Sequence, residues 1–510
     1  MNISYLIDRS AVERPQAPAL LLDEGAPVTW ERLAERVGRL AAAIAGHGVK
    51  AGDRVALLAP NHPAFLETLL ATARLGAIIV PLNYRLSPAE LNFQLTDADC
   101  ALWFVDESFA DLAQATGIGV PKVAIAPGAS EHEAMIESAA APVDLVPVGS
   151  DHTLGIFYTG GTTGLPKGVM LTHQNMLSNA THVAPRMNHR PDDIHLHASP
   201  MFHLADLGGT FAQLLAGGAH CFLAKFDAEG MASAVERHKV TTIGLPPTML
   251  DMALRGDAAE RHDLSSLRHI NYGGSPITDA VLKRAFEVLP CELTQGYGQT
   301  EATQTITLLS ADAHRGAVER PELLRTCGKP VDGVQVIIAD PDDRPVPAGE
   351  IGELLVRGPN VMKGYWRREA ETAEALRGGW LHTGDLGRRD AEGYITLVDR
   401  RKDMIITGAE NVFSTEVENA LTGHPHVVEA AVIGVPDDKY GERVHAVVVL
   451  RNGAAPDEAG LMAHCRERIG GFKIPRSFEF IAELPKTGAG KVRKAELRAP
   501  HWEGRDRKVG

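Results

Sequence analysis

The residues with the plainest chemical use stand between 158 and 168: Tyr158-Thr159-Gly160-Gly161-Thr162-Thr163-Gly164-Leu165-Pro166-Lys167-Gly168. Glycines let a backbone turn where a side chain would clash, and they expose N–H groups to an anion. Thr159, Thr162 and Thr163 add hydroxyl donors, and Lys167 adds a fixed positive charge. These are the parts needed to hold a polyphosphate. The order is not that of a Walker loop, which needs Gly-Lys-Ser/Thr and a helix directly after it. Here Lys167 follows Pro166 and precedes Gly168. An ordinary Gly/Thr hairpin is the plain alternative, and the density of glycine, threonine and lysine argues against it.

The elements around this stretch are legible. Apolar residues 154–158 lead in and 169–171 lead out, so the loop is expected at the tip between two short strands. Residues 1 to about 150 alternate helices and strands: a helix from Thr29 to Gly46, a strand at 54–58, a helix at 64–75 and a strand at 77–82. Such alternation implies parallel sheets covered by helices. The same grammar resumes from about 172 to 310. Residues 331–400 carry short strands between Gly/Pro/Asp turns, which predicts a β-rich part. The last 110 or so residues are mixed α and β; Thr415 and Glu418 have the spacing of a capping box for a helix to Leu421, and strands are expected at 427–435 and 444–450.

Bulk properties exclude several classes. A net charge of −14 argues against a nucleic-acid surface. No uncharged apolar run reaches the length of a membrane span, and the N-terminus lacks the basic start and apolar stretch of a secretory signal. Cys100, Cys221, Cys291, Cys327 and Cys465 form no Cys-x-x-Cys pair. They read as reduced thiols in a cytoplasmic protein.

Five further stretches recur with the phosphate loop: Pro200-Met201-Phe202-His203-Leu204-Ala205-Asp206-Leu207-Gly208-Gly209, Gly273-Gly274-Ser275-Pro276, Gly296-Tyr297-Gly298-Gln299-Thr300-Glu301, the run from Thr383-Gly384-Asp385 to Asp399-Arg400-Arg401-Lys402-Asp403, and Pro485-Lys486-Thr487-Gly488-Ala489-Gly490-Lys491. Each is weak alone: a turn, a solvated charged run, one surface lysine among many. In this order, over about residues 10–495, they resemble the acyl-adenylate-forming superfamily of acyl-CoA synthetases, peptide-synthetase adenylation domains and luciferases. Gly160 departs from the usual Ser or Thr and removes one hydroxyl from the loop.

The resemblance implies an α/β fold. A large N-terminal region, residues 1–400, would hold two α/β subdomains plus a β-barrel-like part, and residues 401–510 would form a small mobile α/β lid. It implies ATP held by Thr159, Gly160, Gly161, Thr162, Thr163, Gly164 and Lys167 on its phosphates, and by Gly274, Ser275 and Gly296 along the nucleotide. Tyr297 would stack on adenine, Thr300 reach the α-phosphate, and Glu301 with Thr159 hold Mg²⁺. Asp385 and Arg400 would contact ribose. Lys491 would neutralise charge between carboxylate and α-phosphate, which makes Lys491, Glu301 and Thr300 the catalytic set. His203 is the gate of an acyl pocket that also includes Gly208 and Gly273. Gly208 and Gly209 are expected to leave room for a bulky acyl group, with Asp206 pointing to solvent. Gly408 and Ala409 would border the channel for coenzyme A, and Lys402 would be a solvated hinge. Ile406 replaces the lysine-rich version of plant coumarate ligases and luciferases, so the chain sides with bacterial fatty-acid and aryl-acid ligases.

The expected reaction is ATP-dependent activation of a medium- or long-chain fatty or aryl acid to acyl-AMP, followed by transfer to coenzyme A. A carrier-protein phosphopantetheine is the alternative acceptor, and a nucleotide-binding pseudo-enzyme is the alternative without turnover. Partners are then small molecules, with a homodimer as one expected assembly. His182, His189, His195 and His197 form no familiar metal-ligand pattern and read as surface or core histidines.

Overall fold

Strands buried on both faces should be apolar throughout, and helices packed on them should be apolar on one side. The computed structural model follows both rules; it describes residues 1–503 apart from 129, 160–165, 276, 318, 408–409, 438 and 487–490. Arg54–Leu58 and Ile78–Pro81 pair in parallel, as their alternation with helices predicts. Trp30–Gly46 buries Leu33, Val37, Leu40, Ala41 and Ile44, one helical face, and Thr29 caps it by accepting from the Arg32 N–H.

Two compact units divide the described chain. The first comprises Met1–Thr159, Pro166–Val336 and Val356–Leu381; the second comprises Ile337–Leu355 and the residues from His382 onward. The first unit contains a seven-stranded and a nine-stranded sheet. In the seven-stranded sheet, Thr153–Thr159 runs antiparallel to Lys167–Thr172, with Thr159 opposite Lys167, so both ends of the phosphate loop leave from one strand pair as expected. In the nine-stranded sheet, Ala219–Phe222, Ile194–His197, Thr242–Leu245, His269–Gly273 and Glu292–Tyr297 are neighbours in parallel. Open parallel sheets bind ligands at the carboxyl ends of their strands. Gly273 and Tyr297 stand at those ends.

The second unit carries most of a four-stranded sheet, in which Leu381–Arg389 and Ile395–Arg400 pair antiparallel. It also carries a five-stranded sheet, in which Gly441–Leu450 pairs antiparallel with Val427–Asp437 and parallel with Ser477–Phe480.

The capping box expected at Thr415 and Glu418 is not made. The helix Ser414–Thr422 starts on Asp399 instead: the Asp399 carboxylate accepts from the Ser414 N–H, and the Thr415 hydroxyl reaches Asp399 Oδ1 at 3.4 Å. Glu418 accepts from the Val432 N–H at 2.7 Å and pairs with Lys494 at 2.6 Å. A buried carboxylate from another element outcompetes the local cap. All five cysteines are free thiols, and among the described residues no helix is long and apolar enough to cross a membrane.

Candidate functional site

In the first unit, side chains from three separated stretches meet at the phosphate-loop strands. The Lys167 ammonium lies over the Tyr365 ring, 4.9 Å from its centroid. The Tyr365 hydroxyl donates to Glu301 Oε1 at 3.0 Å. Gly364–Tyr365 reaches this position by adding to the edge of Lys167–Thr172, with Tyr365 opposite Val169. Burial, then the Glu301 charge, pushes the Tyr365 phenol up, so it stays a donor. The strand entering the loop is pinned at Tyr158, whose hydroxyl donates to Asp97 Oδ2 at 2.7 Å. Thr159 ends that strand, with its hydroxyl 3.4 Å from the Lys167 carbonyl oxygen. Gly160, Gly161, Thr162, Thr163 and Gly164 lie outside the described residues.

Thr300 and Glu301 sit in a single 3-10 turn directly after the Tyr297 strand. Asn360, fully buried, holds the segment that follows: its side-chain Nδ2 donates to the carbonyls of Ala302 and Thr305 at 3.1 and 2.9 Å, and its backbone carbonyl accepts from the Thr303 hydroxyl at 2.6 Å. The clamp keeps Thr303 and Gln304 at φ of +52° and +80°, the left-handed region that side chains rarely adopt. Tyr297 is mostly buried at its strand end. Gly273 and Gly296 are cross-strand neighbours, and a β-carbon on Gly273 would lie 2.1 Å from the Gly296 carbonyl oxygen. Gly274 next to it has φ of +85°, and Ser275 is half-buried at the same strand end.

The expected acyl wall differs from the sequence reading in two ways. His203 caps the helix Leu204–Ala216, its Nδ1 accepting from the Ala205 N–H at 3.1 Å. Gly208 does not face open space: a β-carbon there would lie 1.4 Å from Gln304 Oε1. The Gln304 carboxamide covers the glycine, donating from Nε2 to the Ala205 carbonyl at 3.2 Å and accepting from Asn179 Nδ2 at 3.4 Å. A β-carbon on Gly209 would lie 3.0 Å from His195 Nε2. Asp206 does not point to solvent; it is 1% exposed and bonded to His197. Helical periodicity places it on the sheet side, and the histidine supplies the partner that a buried carboxyl requires.

In the second unit, Asp385 and Arg400 are cross-strand partners, and Arg400 Nε stands 3.3 Å from Asp385 Oδ1. Asp385 is nearly buried and Arg400 is 45% exposed, so the guanidinium keeps one side toward water. Gly384, at φ of +71°, donates its N–H to Glu353 Oε1 at 3.0 Å. Lys402 is partly buried rather than solvated; burial first, then the Arg400 charge, brings its ammonium down to about 8. Its neighbours Asp399 and Asp403 bond to Ser414 and Arg498 within the same unit. Lys491 follows the undescribed tip and precedes Val492, which bridges back to Lys486. Gly408 and Ala409 lie outside the described residues.

Tyr365, Asn360 and Gln304 were not legible as site residues, because each belongs to a stretch without a recognisable motif.

Comparison with known proteins fits this arrangement. The AMP-binding enzyme family matches residues 7–366, and the AMP-binding enzyme C-terminal domain matches residues 416–491. Feruloyl-CoA synthase of an Amycolatopsis species is 42% identical, with 93% of this chain and 94% of that protein covered. A fatty acid–[acyl-carrier-protein] ligase of Streptomyces coeruleorubidus is 35% identical over 98% of this chain and 96% of that protein. The solved o-succinylbenzoate CoA synthetase of Bacillus subtilis, in complex with its acyl-adenylate intermediate, superposes with a TM-score of 0.87 at 32% identity, covering 97% of this chain and 98% of that one. The chain belongs to the AMP-binding enzyme family.

Proposed function

We propose that the protein is an AMP-forming carboxylate–CoA ligase, acting on an aryl acid in preference to a long-chain fatty acid. The observation that carries the reaction class is the convergence of Lys167, Tyr365 and Glu301 at the mouth of the glycine-threonine loop. A cation, a fixed phenol donor and a carboxylate at one strand edge suit a triphosphate together with its metal. Glu301 and Thr159 offer the carboxylate and hydroxyl oxygens that Mg²⁺ takes. Bound there, the ion supplies neutralisation of phosphate charge.

The chain's own groups then account for the first half-reaction. Lys167 and the loop hold the phosphates in place, which sets the α-phosphorus in line with the incoming carboxylate oxygen. Thr300 meets the α-phosphate, and Lys491 offsets the negative charge that grows between the two reactants. The carboxylate oxygen bonds to phosphorus as the bridging oxygen of pyrophosphate leaves. No base is needed, because a carboxylate is already the nucleophile. The thiol of coenzyme A then attacks the acyl carbon and AMP leaves. Asp385 and Arg400, paired across two strands, hold the ribose.

Acid class follows from the filled space at Gly208. The Gln304 carboxamide takes the volume that a long chain would use and presents a polar group. The feruloyl-CoA synthase relative points the same way. A panel of carboxylates assayed for pyrophosphate release, with and without coenzyme A, tests this reading. Aryl acids are expected to turn over best and only with coenzyme A to reach thioester; preference for C12 and longer acids would reverse the acid class. The carrier-protein ligase relative favours a second reading, phosphopantetheine on a carrier protein as acceptor. Release of AMP with a holo-carrier protein but not with coenzyme A would select it.

A further inference from the structure

Beneath the His203 helix lies a group of titratable side chains that the reaction above does not use. His197, at the end of Ile194–His197, has its Nδ1 2.7 Å from Asp206 Oδ1 and its Nε2 2.9 Å from His220 Nδ1. His220 lies on the neighbouring strand Ala219–Phe222. All three residues are within 1% of complete burial. His195, two residues before His197 on the same strand and bonded to Thr242, together with His197 and Asp206 offers ligand atoms within 4.8 Å of one another. The direct 2.7 Å bond leaves no room for a metal between His197 and Asp206, so these atoms form a hydrogen-bonded chain.

Burial favours one proton order along the chain. It raises the Asp206 carboxyl to about 7 and lowers the His197 imidazole to about 3, which favours the neutral form of each. The Asp206 O–H then donates to His197 Nδ1, and His197 Nε2–H donates to His220 Nδ1. A neutral, directional chain avoids leaving an ion in a site without water.

Position gives this chain a consequence. Asp206 is in the first turn of Leu204–Ala216, and its N–H donates to the His203 carbonyl at 3.1 Å. The same turn is held from the other side by Gln304, which donates to the Ala205 carbonyl. Thr210, one turn further on, places its hydroxyl 3.2 Å from Asp206 Oδ1. The first turn is therefore fixed between a buried polar chain and the Gln304 carboxamide. The His203 imidazole that caps the turn goes where the turn goes.

We infer that Asp206 is a positioning residue for recognition of the carboxylic acid: through His197 and His220 it fixes the first helical turn against the sheet, and through that turn it sets His203. The inference rests on the ligase reading, with His203 at the acid site.

Steady-state pyrophosphate release, with the acid and ATP varied separately, tests it. D206A leaves His197 Nδ1 without a partner and should raise KM for the acid about tenfold, with KM for ATP unchanged. D206N, whose amide can donate as the neutral carboxyl does, should restore the wild-type acid KM. On an H203A background, D206A should add nothing further, because its effect passes through that residue. T210V, a milder change, should raise acid KM two- to threefold and covers the case in which D206A does not fold. An unchanged acid KM in D206A or T210V overturns the inference. So do an equal rise in KM for ATP, failure of D206N to restore, or full additivity with H203A. If the wild type releases no pyrophosphate with any acid, the ligase reading itself fails and the inference fails with it.

Discussion

Tyr365 donates its hydroxyl to Glu301 while its ring carries the Lys167 ammonium. One side chain thus orients the carboxylate expected to hold the metal and the cation expected to hold the phosphates. Tyr365→Phe keeps the ring under Lys167 and removes only the bond to Glu301. A hydrogen bond to a charged group contributes about 1.5–3 kcal/mol. The variant is expected to lose at least about tenfold in ATP–pyrophosphate exchange, with acid KM unchanged. A normal exchange rate would show that Glu301 needs no such orientation.

Gly208 and Gln304 make a second pair, joined by sterics. A β-carbon at 208 would meet Gln304 Oε1 at 1.4 Å. Gly208→Ala must therefore displace the carboxamide from the Ala205 carbonyl. Acid KM should rise, because the freed side chain moves into the acyl space. Shortening the obstacle, as in Gly208→Ala/Gln304→Ala, should relieve the clash and shift preference toward longer acids. The measurement is the acid panel run on wild type, single and double variants. A single variant with the wild-type profile would mean that Gln304 can step aside without cost.

Buried titratable groups predict the pH dependence of stability. Burial lowers His173, His197 and His269 from 6.5 to about 3. The unfolded chain takes up protons below about pH 6.5 that these folded imidazoles refuse, so stability falls as pH drops from 6.5 toward 3. Asp206 has the opposite slope, since its pKa rises from 3.8 to about 7. It keeps a proton that the unfolded chain has lost, and its contribution declines as pH rises from about 4 to 7. Asp206→Asn removes that contribution alone. The variant's thermal midpoint minus the wild type's should increase between pH 4 and 7 and stay level above. A flat difference across that range would mean that Asp206 ionises normally.

These relationships also show what the sequence could and could not reveal. The strands flanking the phosphate loop, the Thr29 cap and the parallel sheets followed from local pattern, because burial and capping act over a few residues. The Lys167–Tyr365 contact joins residues 198 positions apart, and Tyr365 belongs to a two-residue edge strand with no periodicity of its own. Asp206 was misread for a related reason. A carboxylate in an apolar run looks solvated until its partner is known, and that partner came from a neighbouring strand. The glycines at 208 and 209 looked like vacant volume; each was small because another side chain already occupied the space. Asp385 and Arg400 were singled out separately, and only the strand register makes them neighbours.

Lys491 and Lys494 are three residues apart and should fail in different ways. Lys494 is largely buried, bonded to Glu418 and Ser414 at 2.6 Å each. Burial works against its charge, but Glu418, Asp399 and Asp403 outweigh it and hold the ammonium protonated. Lys494→Met would leave Glu418 buried without its cation; breaking one side of such a pair costs about 3–5 kcal/mol. A lower thermal midpoint is expected, along with earlier protease cleavage within residues 382–503. The proposed reaction assigns Lys491 to the adenylation step. Lys491→Ala should lose acyl-AMP formation and still convert supplied acyl-AMP to thioester. The two variants are compared by thermal unfolding and by single-turnover assays that follow acyl-AMP and thioester separately. If Lys491→Ala impairs both half-reactions equally, its assignment to adenylation chemistry is wrong.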